Sequence, residues 1–269
     1  MKTIVAVILS IIISAVPVLA GSIGDSVEVR IISDAGSELP LYPVSARYPS
    51  KKVYAEAVNG DHYRLSVRNK LNRRVGVVIA VDGRNIVSGQ KSWLKNSERM
   101  YILEPYASYE YAGWRTGQDK INRFYFTEVS DSYAASFGDQ SAMGVIAVAV
   151  YPEIQRYEPP MQYRSQASES APAAPSAGGE RRKSAAAPAA KAEAMDRAAG
   201  TGYGRTEYSP SQTVVFDPES RSVENLYIKY EWRSTLCAKK VISCGRPHPR
   251  PYNRMWDNNG YAPPPPGRD

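Results

Sequence analysis

Few side chains in this chain could do chemistry. It holds two histidines. His62 opens a strand-like run beside Asp61, and His248 sits between Pro247 and Pro249, where no rigid element would hold it. An acyl-transfer relay built on His62 would need a serine in a G-x-S-x-G elbow, and the chain has none. The two cysteines, Cys237 and Cys244, lie close in sequence. Zinc would want four ligands, and His248 is the one histidine nearby. In an oxidising compartment the pair reads as a disulfide, a local clip whose short loop contributes at most about 2–3 kcal/mol. Carboxylate pairs such as Glu98 with Glu104, or Asp131 with Asp139, have the residue types of a glycoside hydrolase. Among 27 acidic side chains such pairs arise by chance. No phosphate-cradling glycine loop is present, and Asp257-Asn258-Asn259-Gly260 lacks the later glutamate of a calcium loop. The reading is a non-enzyme with no catalytic residue, metal or cofactor. A carboxylate-dependent hydrolase is the weaker alternative.

Two groups of residues suit binding better. Arg68, Lys70, Arg73 and Arg74 fall between two strand-like runs, so a hairpin loop would project several cations. Such a loop could touch phosphate-bearing glycans or lipid headgroups, or simply be a solvated loop that discourages edge pairing. The second group is aromatic. The chain has 19 Tyr against 4 Phe, a choice that favours rings with one polar edge. Tyr101, Tyr106, Tyr109 and Tyr111 gather around one turn, near Trp93 and Trp114. Exposed together they would make a stacking platform for sugar rings; buried, they would fill one end of a core.

The elements that must carry these residues are strands. In His62 to Arg68, Tyr63, Leu65 and Val67 point one way and the polar residues the other. Val75 to Val81 is apolar or small on both faces, as a central strand requires. Asp82-Gly83 follows, the residue choice for a type I′ hairpin turn, with Arg84 to Val87 returning. Ile121 to Thr127 and Gly144 to Tyr151 are further strong runs, and Val27–Ile32, Lys52–Ala57, Arg99–Leu103, Ser108–Tyr111, Gln212–Phe216 and Asn225–Trp232 complete the set. Only Ser130 to Phe137 looks helical. Ten or so short strands without long helices predict an all-β, antiparallel β-sandwich of jelly-roll or immunoglobulin-like type.

Composition divides the chain. Lys2, the apolar run Ile4 to Val16, Pro17 and Val18-Leu19-Ala20 lay out a signal peptide over 1–20, cut before Gly21. Residues 21–157 would be the sandwich. Residues 158–205 are rich in Ala, Pro, Ser and Gly and predict a disordered linker. Residues 206–244 would return to complete the same domain, because a lone hairpin is marginal in water. Residues 245–269 form a Pro-rich tail, extended and disordered. The chain has 34 basic and 27 acidic side chains, net +7; the leader holds Lys2 and no acid, so +6 remains. That mild excess excludes a dedicated nucleic-acid groove. No later run is long enough to span a membrane.

The pieces Val81-Asp82-Gly83-Arg84-Asn85, Tyr101-Ile102-Leu103, Gly113-Trp114-Arg115, Phe124-Tyr125-Phe126-Thr127 and Gly144-Val145-Ile146-Ala147-Val148 resemble a group of exported bacterial proteins of no assigned function. The resemblance covers residues 63–151, about a third of the chain. It implies export and a shared all-β domain, and no activity. The expectation is therefore a periplasmic or extracellular module that is structural or binds an envelope protein. The alternative is a carbohydrate-binding module that uses the Tyr/Trp group.

Overall fold

The computed structural model describes residues 21–155 and 198–244; the expectations for the leader, most of the linker and the tail lie outside them. Two sheets face each other. The first is an eight-stranded sheet with the path β1 (Ser22–Ile23), β2 (Val27–Ser33), β5 (His62–Asn69), β11 (Lys120–Glu128), β10 (Gly113–Arg115). β9 (Ser108–Tyr111) adds to β5, and β13 (Ala199–Thr201) and β14 (Thr206–Tyr208) add to β11. The second, seven-stranded, runs β3 (Leu41–Val44), β4 (Ser50–Ala57), β15 (Glu224–Trp232), β12 (Val145–Pro152), β6 (Val75–Val81), β7 (Arg84–Asn85), with β8 (Tyr101–Leu103) on β6.

Two-residue periodicity builds the core. Val27, Val29 and Ile31 on β2, Tyr63, Leu65 and Val67 on β5, and Phe124 and Phe126 on β11 point inward from the first sheet. Val53 and Ala55, Leu226 and Ile228, Val148 and Val150, and Val77 and Ile79 meet them from the second. Each large aliphatic side chain so covered contributes about 1.5–3 kcal/mol. Tyr63 stacks on Phe126 at 4.3 Å between ring centroids. The fold is thus an all-β sandwich, and β6 is buried on both faces as its sequence predicts. Asp82 and Gly83 take φ of 50° and 79°, as a type I′ turn requires.

Several expectations need correction. The linker does not extend to residue 205. Ala199–Thr201 form β13, paired with Phe126–Glu128 and buried. Smallness is the reason: at Gly202 a Cβ would stand 2.1 Å from the Tyr125 ring. The pairing is not wholly antiparallel either, since β15 runs parallel to β4. It enters between β4 and β12 and is antiparallel to β12. Gln212–Phe216 is not a strand: Val214 and Val215 are exposed, and Phe216 lies against Arg74 instead. The expected helix over Ser130–Phe137 is two 3-10 turns, Val129–Asp131 and Ala135–Phe137. Ser132 Oγ separates them by donating to the Val129 carbonyl and accepting from the Ala135 amide. After β15 comes a short helix, α1 (Arg233–Ala238).

Candidate functional site

The Tyr/Trp group does not assemble on a surface. Trp114 is 2 % exposed: β10 turns it inward, where it meets Phe124 edge-on and donates to the Gly202 carbonyl at 3.0 Å. Tyr111 is buried and stacks on Tyr101 at 4.1 Å, whose hydroxyl accepts from Arg115 Nε. These three fill one end of the sandwich. Trp93 is 70 % exposed in the loop before β8, Tyr106 is 61 % exposed at a turn, and Tyr109 is half-exposed on β9. A platform made of all six is excluded, because two of them lie in the core.

The basic group is divided in the same way. Arg73 pairs with Glu219 at 2.8 Å. Arg74 pairs with Glu153 and Glu104 and lies over Phe216. These two cations hold the 204–223 segment and the β12 end in place, so they are not free for a polyanion. Arg68 and Lys70 are exposed. The carboxylates are engaged too. Glu98 accepts from the Trp93 and Lys95 amides and from Ser92 Oγ. Burial pushes its carboxyl up, but these bonds outweigh it and hold it below the ordinary value. Asp131 accepts from Tyr125 and Thr127, and Asp139 pairs with Lys91. Among the described residues no group of three or more His, Cys, Asp or Glu is placed to hold a metal. Among them no helix is long and apolar enough to cross a membrane.

A concavity lies elsewhere, on the outer face of the second sheet. Its volume is about 930 Å³, within the ~300–1,000 Å³ usual for ligand sites. Strand alternation builds its floor. On β4, Val53 and Ala55 face the core, so Lys52 and Tyr54 face out; on β15, Leu226 and Ile228 face in, so Tyr227 and Lys229 face out. The parallel register then sets Lys52 beside Tyr227 and Tyr54 beside Lys229. The result is a checkerboard of two rings and two ammonium groups. Val44, at the end of β3, lies beside Lys52, and the following Ser45–Arg47 segment forms a wall. Lys52 Nζ is 5.8 Å from the centre of the Tyr227 ring.

A third ammonium group borders the floor through α1. Cys237 and Cys244 are joined as a disulfide, with Cα atoms 5.6 Å apart, which closes the chain just after the helix. Lys239, in that closed loop, reaches to 5.5 Å from the Tyr54 ring and pairs with Glu231 at 2.5 Å. Lys229 donates to the Met143 carbonyl and lies 3.8 Å from Glu231; burial pulls its ammonium group below the ordinary lysine value, with Glu231 opposing. Arg47 and Lys52 form no ion pair with a described residue.

Sequence reading missed this floor. Lys52–Ala57 and Asn225–Trp232 both read as strands, but their outward residues are ordinary surface types. Only the pairing of β4 with β15 makes them one site. It also missed a buried polar knot. Asp82 accepts from Tyr230 Oη at 2.5 Å, from the Gly144 amide at 2.7 Å and from the Thr201 amide at 2.7 Å. Thr201 Oγ1 in turn bonds Tyr63 and Tyr230. Burial pushes the Asp82 carboxyl up to about 6, against the pull of these bonds and of Lys229. Comparison with known proteins finds no family model, no curated protein and no solved structure that matches the chain.

Proposed function

We propose that this chain is an exported, non-enzymatic sandwich module that acts by holding a partner in the cell envelope or outside the cell. The observation that carries this reading is the division between a core filled by apolar side chains and a groove on the outer sheet face, walled by Arg47 and floored by Lys52, Tyr54 and Tyr227. A filled core leaves ligands only loops and outer faces to meet. The groove lining contains no histidine, cysteine or carboxylate, so it offers contact chemistry, with no general acid or base of ordinary pKa near neutral. The leader-like sequence over residues 1–20 and the Cys237–Cys244 disulfide support an oxidising destination. The resemblance of residues 63–151 to exported proteins agrees with it.

Cell fractionation with sequencing of the mature N-terminus tests the export half. A chain that begins at Gly21 in the periplasm or medium is expected; a cytosolic chain that keeps Met1 overturns the reading. The binding half is tested by capture from an envelope fraction by the wild-type chain and by a Lys52→Gln variant. Envelope material held by the first and released by the second is expected, and no retention by either sinks it.

A further inference from the structure

The groove's chemistry narrows the partner. Resting on the binding reading above, we infer that it takes an acidic glycan, a chain of sugar rings that carry carboxylates. Three observations lead there. The first is the alternation of the floor: each outward tyrosine has a lysine directly beside it on the neighbouring strand, Tyr227 by Lys52 and Tyr54 by Lys229. A polymer that offers one ring and one carboxylate per unit matches rings and cations set side by side. The second is the state of the charges. Lys52 and Arg47 are exposed and form no ion pair with a described residue. The lining brings no carboxylate to repel an anion. The two acids on the outward rows of the same strands are already neutralised, Glu56 by Arg233 at 2.9 Å and Glu231 by Lys239 at 2.5 Å. The third is the type of ring. Tyr54 and Tyr227 are half-buried, offering an apolar face and a wet hydroxyl, as a sugar with one apolar face and polar edges requires. A lipid surface would want large aliphatic or indole side chains to insert; the lining's aliphatic residues are Val44, Ala46, Val145 and Val53, and Val53 is buried toward the core. A nucleic-acid strand would want a longer track of cations than two unpaired ones.

The rings also need to stay where they are. Tyr54 is flanked by Lys239, which the disulfide loop carries. The site is therefore assembled from residues 44–54, Val145 and 227–229, with the 237–244 clip at its border.

Calorimetric titration of the mature chain with short oligogalacturonates tests the inference, with the fully methyl-esterified oligomers as the uncharged control. Binding is expected, about tenfold weaker for the ester, and weaker still as salt is raised. Lys52→Gln and Tyr227→Ala should each weaken it about tenfold while the thermal midpoint stays that of the wild type. Equal affinity for acid and ester, or no effect of either folded variant, overturns the inference. So does tighter binding to anionic phospholipid vesicles or to a single-stranded oligonucleotide, competed by neither oligomer. A chain that is exported and retains envelope material but ignores oligogalacturonate refutes the glycan alone. A chain that stays in the cytosol refutes the reading beneath it.

Discussion

The outer face of the second sheet has two halves with opposite treatment. On β6 and the far end of β12 the outward residues Gly76, Val78, Ala149 and Tyr151 are covered by the chain itself. Leu94 and Met100 pack on Val78, Ala149 and Tyr151, and the Tyr151 hydroxyl donates to the Leu94 carbonyl. At Gly76 a Cβ would come within 2.2 Å of Met100 Sδ, so the cover sits directly on the backbone. Over the middle of β4 and β15 the outward residues are Lys52, Tyr54, Tyr227 and Lys229, which floor the groove, and beyond them Glu56 and Glu231 are tied to Arg233 and Lys239. One sheet thus has an apolar half that must be hidden and a Lys/Tyr half that can face water. Two identical positions in a pleat carry different duties, and only the side chains tell them apart.

The largest break in that comparison comes from placing the same charge on each half. Val78→Lys should bury an unpaired ammonium group under Leu94 and Met100 and cost about 3–5 kcal/mol, read by chemical denaturation. Val145→Lys, on the rim of the open half, should cost less than about 1 kcal/mol. Equal losses would mean that the two halves are covered alike.

A smaller effect follows from the knot that ties the halves together at one end. Asp82 leaves the β6 turn and holds Tyr230 of β15, so it bridges across β12. Its carboxyl is raised to about 6 when folded, so folding favours the protonated form. That contribution is complete below pH ~4 and is lost as pH rises through ~6, on the order of 2–3 kcal/mol. Glu98, Asp139 and Glu207 are held below their ordinary values, and their contributions fade as pH falls below ~4. Stability should therefore peak near pH 4–5, and Asp82→Asn should flatten the decline between pH 4 and 6. A wild-type midpoint that climbs from pH 5 to 7 would contradict this assignment. The smallest effect sharpens the covered half alone. Glu98→Ala should cost about 1–3 kcal/mol and expose the β6 and β12 amides to hydrogen exchange, with β4 and β15 unchanged.

Much of the sandwich was legible because its strands obey simple periodicities. Tyr63-x-Leu65-x-Val67 marks a half-buried strand, Val75 to Val81 a fully buried one, and Asp82-Gly83 the turn between strands. Legibility fails where smallness or distant pairing decides. β13 reads as linker because Ala199-Gly200-Thr201 has no bulky side chain, yet the space beside β11 and Tyr125 admits only such residues. The placement of the tyrosines is illegible for a related reason. Tyr101–Tyr111 cluster in sequence, but which face a ring takes depends on the strand beneath it, and Tyr111 turns into the core. Tyr54 and Tyr227 are isolated in sequence and meet only because β15 lies parallel to β4.

The position of β15 also constrains the order in which the protein can be assembled. It is the last strand described, yet it occupies the middle of its sheet, with hydrogen-bonded neighbours on either side. Until Glu224–Trp232 emerges from the ribosome, β4 and β12 confront each other across a slot one strand wide, each with an unpaired edge. Without Glu224–Trp232 the second sheet is therefore split into a β3–β4 part and a β12–β6–β7–β8 part, and no closed sandwich forms.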